Sequence, residues 1–489
     1  MLVIVKKTNS IIGCMFASRW MIIGFIIFIS TLVVVFRPET LTWDRAILAV
    51  LITVIGMVPS FIYLVTPIEK RFRFPFMPLV GLYYAIFFGL IAFAGAYLRE
   101  NPWAEGPSIG LINFYGHSHL SEVNIQAQIL VLVGISLMFV FWSLIKKFLL
   151  FRIKRFSISG QFLSWRRSFL IWGLIISNLT FVHFSVIRSL PSVGQFLEPA
   201  GYIGFSLMVI LYYRKALTRG QLFCYFFVAF PLWLLGLITL TFFTPLIFII
   251  LIWVGIRFYF IQKMSLGWVF CFIAFIIIAY PIMNSYRTFV WGPGEKAGIV
   301  NKIQLMDDAL EQFVYGERQS FYLKSTAIIK RVGLIFSFSH VVNLTPKTIP
   351  YWQGLTYRPI FTNWVPRIFW KNKPKEDIGN KFGRRYLIND PTDFHTSINL
   401  PWLTEMFVNF GNIGVILGMS FVGLFLGVLE CVFNKPEVPD LEFGIGTGLL
   451  IPLCFPGSNF TLMTGSIFTL VICLWLYFSV GMRFKYKSA

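Results

Sequence analysis

The sequence predicts an all-α integral membrane protein, with about twelve transmembrane helices and one large, partly helical extracytoplasmic loop. Three observations carry this. Hydrophobic residues fill 57% of the 489 positions and charged residues only 13%, about half the charged share of a soluble domain. The apolar residues fall into repeated blocks long enough to cross a hydrocarbon core of about 30 Å, which takes roughly 20 helical residues. The basic residues gather in the short connections between alternate blocks, the pattern of the positive-inside rule.

The blocks place spans near 20–36, 46–65, 79–97, 125–145, 169–187, 200–213, 221–240, 244–261, 267–284, 412–433, 443–457 and 460–482. Lys6 and Lys7 before the first block resemble a signal peptide only superficially, because many further spans follow; the block is read as a retained helix. The block at 200–213 is short for a span, which calls for tilt, re-entry or borrowed flanking residues. The stretch 221–261 is too long for one helix and divides at Thr244-Pro245. Three regions follow: an N-terminal bundle over 1–284, a large loop over 285–398, and C-terminal helices over 399–489.

Charge sets the expected orientation. With the N-terminus inside, the inside connections carry Lys70, Arg71 and Arg73, then Lys146, Lys147, Arg152, Lys154, Arg155, Arg166 and Arg167, then Arg214, Lys215 and Arg219. The short outside connections hold only Arg37, Arg45, Arg99 and Arg188. Both termini are therefore expected on the cytoplasmic side, with 285–398 outside. That loop holds sixteen Lys/Arg against nine Asp/Glu. A long loop translocates regardless of charge, yet so basic an outside segment points to an anionic ligand. Its aromatic residues and the apolar stretch Ala327–Leu344 argue against disorder. Lys330, Arg331 and His340 within that stretch predict a helix lying on or dipping into the membrane surface.

The formal charge of +21 raises nucleic acid as a partner. The placement of the cations in short inter-span loops favours membrane lipids instead. The six cysteines lie in or beside apolar blocks without CxxC spacing, so neither a disulfide framework nor a zinc site is expected. No Walker A loop, dinucleotide fingerprint or HExxH motif is present. The adjacent Asp307-Asp308 lacks the spacing of a glycosyltransferase metal motif and reads as a solvated helix face.

The residues that could carry chemistry sit in and just after the loop. Arg287, Arg318, Arg331, Arg358, Arg367, Arg384 and Arg385 recur among aromatics. Guanidinium forks match phosphate oxygens bidentately and stay charged, and aromatic faces suit sugar rings, so the set fits a lipid-linked phosphosugar; contacts with lipid headgroups or local carboxylates are the plainer alternative. In a helix over 400–411 and beyond, Trp402, Glu405, Asn409 and Asn412 share a face. A carboxylate in so apolar a helix is costly, which marks Glu405 as functional with a loop arginine as partner, against the alternative of helix-packing glue. His183 lies within a span and reads as a packed, hydrogen-bonded residue. His395 precedes the Glu405 segment and is a second candidate base.

Three segments resemble a known family. Thr345-Pro346 followed by Ile349–Tyr357 (IPYWQGLTY), Val365-Pro366-Arg367-Ile368-Phe369-Trp370 with Lys373-Pro374, and Glu405–Gly414 (EMFVNFGNIG) are similar to the signature of bacterial oligosaccharide repeat-unit polymerases of the Wzy type. Arg331, fourteen residues before Thr345, matches the arginine expected upstream of the first segment. The resemblance covers about 331–427; elsewhere it is architectural. The related O-antigen ligases share the layout and compete with it. A transporter or flippase for an anionic lipid-linked glycan is the reading from another class, disfavoured because charges collect in one loop rather than near the midplane of several spans.

The resemblance implies glycosyl transfer at the outer face of the cytoplasmic membrane, using undecaprenyl-pyrophosphate-linked glycans and building an O-antigen or exopolysaccharide. Glu405 or His395 would act as base, with Arg331 and Arg367 stabilising the leaving pyrophosphate. Arg287, Arg318, Tyr357, Trp370, Lys373 and Asn409 would bind substrate. No metal or other cofactor is called for. A chain-length regulator and a flippase are the protein partners this setting suggests.

Overall fold

A computed structural model describes residues 41–100, 123–149, 164–190, 193–240, 244–262, 266–291, 299–315, 332–362, 370, 372, 377–465 and 467–483. The described residues are helical, with connecting turns and no strand. Seven helices are long and apolar enough to cross a membrane: Trp43–Val65, Phe76–Ala96, Ile125–Phe148, Phe196–Tyr213, Arg219–Gly236, Thr244–Ile261 and Trp402–Phe433. The chain is thus a helical membrane protein. The block at 20–36 lies outside the described residues. The remaining blocks form the helices Ser164–His183 and Leu266–Trp291, then Asp440–Leu450 continued by a 3-10 turn Ile451–Cys454, then Phe460–Thr464 and Ile467–Arg483.

The block at 200–213 needs neither re-entry nor tilt to reach spanning length. Its helix begins at Gly194 and takes in Pro199. Pro199 is the sixth residue, so it gives up one intrahelical hydrogen bond, to the Gln195 carbonyl. Asn178 of the preceding helix donates to the carbonyls of Leu197 (2.7 Å) and Glu198 (3.3 Å) and fixes this extension. His183 is packed and hydrogen-bonded, its Nε2 2.8 Å from the Leu232 carbonyl oxygen.

The most extensive pairing joins Ile125–Leu149 to Trp402–Phe433. Gly423 and Gly427 make it possible: a Cβ at Gly423 would collide with the Met138 carbonyl, and one at Gly427 with Ile145. Small residues four apart let membrane helices approach to backbone contact.

One end of the bundle is tied by buried polar groups. Glu430 accepts from Trp142 Nε1 (2.7 Å) and Asn434 Nδ2 (3.2 Å). Asn434 also closes a two-way pair with the Phe74 backbone. Arg73, buried, donates to Asp440 (2.5 Å) and the Val438 carbonyl (2.8 Å), under the rings of Phe443 and Tyr259. Arg214 grips the same carboxylate with two bonds. Burial alone would raise the Asp440 pKa, but the hydrogen bonds and charges of Arg214 and Arg73 outweigh it and hold the carboxyl below its ordinary value.

The stretch expected at the membrane surface is corrected over its described part. Leu334–Leu344 is a helix buried on nearly every side, including Phe336, Phe338 and Val341, against the helices at 91–100, 125–149 and 402–433. The reason is compositional: the charged Lys330 and Arg331 precede this helix, and its own residues are apolar all round apart from small hydroxyls, Asn343 and His340, so they pack on protein on all sides.

Candidate functional site

The site is built on a broken helix. Within Trp402–Phe433, Gly411 has φ 63° and ψ −144°, a conformation that ends one helix and starts another. The chain reverses there. A Cβ on Gly414 would strike the Met406 carbonyl, and one on Gly134 would lie 3.2 Å from Leu403, Val415 and Met419 alike. Residues 402–410 therefore fold back along 414–419. At 1.5 Å per residue, Glu405 lies about 9 Å from the bend, inside the bundle. The arm is buried from Trp402 to Asn409. Tyr351 packs on the bend, its hydroxyl 2.6 Å from where a Gly411 Cβ would be.

This break corrects the expected shared face. Asn409 lies one turn from Glu405 and donates to its carbonyl (2.7 Å). Asn412 is past the break, exposed, and accepts from Gln126 (3.4 Å). The face argument assumed one straight helix, and the left-handed φ at Gly411 turns the chain away.

Two of the sequence segments meet on this arm. Trp352 N–H donates to the Val408 carbonyl (2.9 Å), and Gln353 N–H to that of Asn409 (3.2 Å). The Asn409 amide bridges the rest. Its oxygen accepts from Gly354 N–H (2.9 Å) and its nitrogen donates to Thr356 Oγ1 (2.8 Å). Gly354, at φ 84°, makes the turn that allows this. Tyr357 stacks on Phe410 and lies beside Asn409. Burial, and then the nearby Glu405 charge, raise the Tyr357 pKa well above its ordinary value, against the smaller opposing effect of Asn409. The phenol is therefore protonated at neutral pH and can donate a hydrogen bond.

Glu405 is fully buried, and its Oε2 accepts from the Phe460 backbone N–H at 2.5 Å. A loop arginine was the expected partner. The candidates Arg318, Arg331 and Arg367 lie outside the described residues; a described partner is the first amide of the short helix Phe460–Thr464, a position where N–H groups lack intrahelical acceptors. Nothing in the sequence pointed to Phe460 as a partner; the Pro-Gly-Ser-Asn run at 456–459 marked only a break between spans. Thr461 Oγ1 donates to the Thr356 carbonyl (3.1 Å), so this turn also meets the 352–357 segment. The indole N–H groups of Trp352 and Trp402 are buried without an acceptor among the described residues.

The structure thus brings Glu405, Asn409 and Tyr357 together. His395 stands apart, exposed in a turn held by Asp393, whose carboxylate accepts from the His395 (2.8 Å) and Thr396 (2.9 Å) amides. Those bonds hold the Asp393 pKa below its ordinary value. Arg287 lies on Leu266–Trp291, beside a separate small core of Tyr286, Val290 and Ala309. Trp370 is exposed. Arg331, Arg318, Arg367 and Lys373 lie outside the described residues. Of the other loop arginines, Arg385 donates to the Pro350 carbonyl and lies over Trp352, Arg384 donates to Asn380 and lies over Phe394, and Arg358 is exposed. Asp307 and Asp308 are exposed on the helix Ile299–Tyr315.

The chain matches no family model, no curated protein and no solved structure.

Proposed function

We propose that this protein is a glycosyltransferase that polymerises undecaprenyl-pyrophosphate-linked oligosaccharide repeat units into an O-antigen or exopolysaccharide at the outer face of a bacterial cytoplasmic membrane. The observation that carries the reading is the junction of the 352–357 segment with the 405–411 arm. These are two of the segments that resemble the polymerase signature, and their contact puts a buried carboxylate beside a phenol and an amide. The reading includes twelve spans, both termini inside and 285–398 outside.

In this reaction a hydroxyl oxygen of the acceptor sugar attacks the anomeric carbon of the donor glycan. The bond from that carbon to the pyrophosphate oxygen breaks, and undecaprenyl pyrophosphate departs with the electron pair. The hydroxyl proton passes to Glu405, with His395 as the second candidate base. The leaving group is good without protonation, so the demand is for cations at the developing charge, the role assigned to Arg331 and Arg367. Asn409 holds the arm and Tyr357 in register. The orphaned indole donors at Trp352 and Trp402 suit an acceptor-rich ligand.

Deleting the gene and resolving surface polysaccharide on gels tests the assignment. The expected result is loss of long chains with single repeat units retained. Loss of all attachment to the core acceptor would indicate a ligase instead.

A further inference from the structure

A cavity of about 670 Å³ lies among the helices 194–213, 219–240, 244–261 and 266–291. That is the size of a small-molecule site. Its walls are apolar and aromatic, among them Tyr212, Tyr213, Phe226, Trp253 and Phe275, and one cation, Arg257, lines it. Several wall residues are open to the surroundings, Tyr212 at 47% and Phe226 at 48% exposure, so the cavity is reached from outside the bundle. The cavity adjoins the polar tie that closes one end of the bundle. Tyr213 stacks on Phe260, and Arg214, the next residue, holds Asp440.

Apart from Asp440, which Arg214 and Arg73 neutralise, the charge nearest this cavity is basic. No Asp or Glu occurs between Glu198 and Glu295, a stretch that carries Arg214, Lys215, Arg219, Arg257, Lys263 and Arg287. Arg257 lies over the Trp253 ring at 5.6 Å, and no described carboxylate pairs with it. Lys215 and Arg219, both exposed, flank Leu217 at the cavity wall. A guanidinium one turn inside an apolar helix is costly unless an anion meets it.

We propose that this cavity binds a phospholipid of net negative charge, with an acyl chain among the aromatic rings and the phosphate on Arg257. The site is separate from Glu405 and independent of the glycosyl-transfer reading. A simple snorkelling arginine would reach bulk headgroups without choosing among them. A built site selects.

The test uses the full-length protein in detergent micelles and a phosphatidylglycerol carrying a diazirine in one acyl chain. Photo-adducts should concentrate in peptides spanning 205–217 and 249–261. Both lipids offer a phosphate to Arg257, but the choline cation of phosphatidylcholine is repelled by Arg257, Lys215 and Arg219, so unlabelled phosphatidylglycerol should compete about tenfold better. Arg257→Gln should abolish that preference and Arg257→Lys should keep most of it. Val254→Trp, which fills the cavity and leaves the cation, should lower labelling itself. Equal competition by the two lipids, or adducts spread evenly over the lipid-facing helices, overturns the proposal; both readouts use the wild-type protein and do not depend on a variant folding. Competition by undecaprenyl phosphate but not by phosphatidylglycerol overturns it as well.

Discussion

At the residue scale the proposed chemistry turns on Glu405. Its carboxylate is buried, bonded to the Phe460 amide and close enough to Tyr357 to shift the phenol's titration. A packing role and a catalytic role make different demands on it. As a base, Glu405→Gln should cut single-turnover transfer by about 10²-fold or more at normal expression with donor binding kept. As a packing partner, its loss should lower the amount of folded protein and weaken donor binding. Gly411 is the second such residue. Its φ and ψ lie in a region nearly confined to glycine, and Tyr351 fills the space a Cβ needs. Gly411→Ala should therefore destabilise the protein by roughly 1–3 kcal/mol of backbone strain, with a further steric cost. An unchanged melting temperature in detergent would contradict the bend.

At the scale of elements, much was legible because hydrophobic blocks and charge are read one helix at a time. Twelve blocks were predicted, and the eleven that reach the described residues all correspond to helical segments, seven of them of spanning length and apolarity. What was not legible depends on tertiary contact. The sequence motif Asn-Phe-Gly-Asn shows a glycine but not its sign of φ, so the reversal and the loss of Asn412 from the face could not be foreseen. The burial of Leu334–Leu344 likewise follows from neighbours distant in sequence. So does the tie at Asp440, which joins Arg73, Arg214 and the chain at Val438. Its pH behaviour follows from the lowered Asp440 pKa. The stabilisation is complete above the unfolded value of about 3.9 and is lost as pH falls through the depressed folded value. Melting temperature should carry no pH dependence from this group between about pH 5 and 8 and should fall in stronger acid. Asp440→Asn strands the buried Arg73 and should cost about 3 kcal/mol or more at neutral pH. A variant as stable as the parent would show that the tie is ornamental.

For the whole molecule, the polar tie and the Glu405 arm are unlike regions of the bundle, and the proposed orientation, argued from the basic connections, puts the tie on the cytoplasmic side. Alkaline phosphatase fused near Pro350 should be active and a fusion after Lys485 inactive. The reverse pattern would put the arm on the wrong side for an outer-face reaction. The central claim is that this chain itself joins lipid-linked repeat units, and the most direct measurement is reconstitution. Purified protein in vesicles, given undecaprenyl-pyrophosphate-linked single repeat units and neither nucleotide, added metal nor ion gradient, should produce a ladder of lengthened glycans and release undecaprenyl pyrophosphate, and Glu405→Gln should suppress it. Single repeat units left unlengthened by folded, correctly oriented protein would contradict the account.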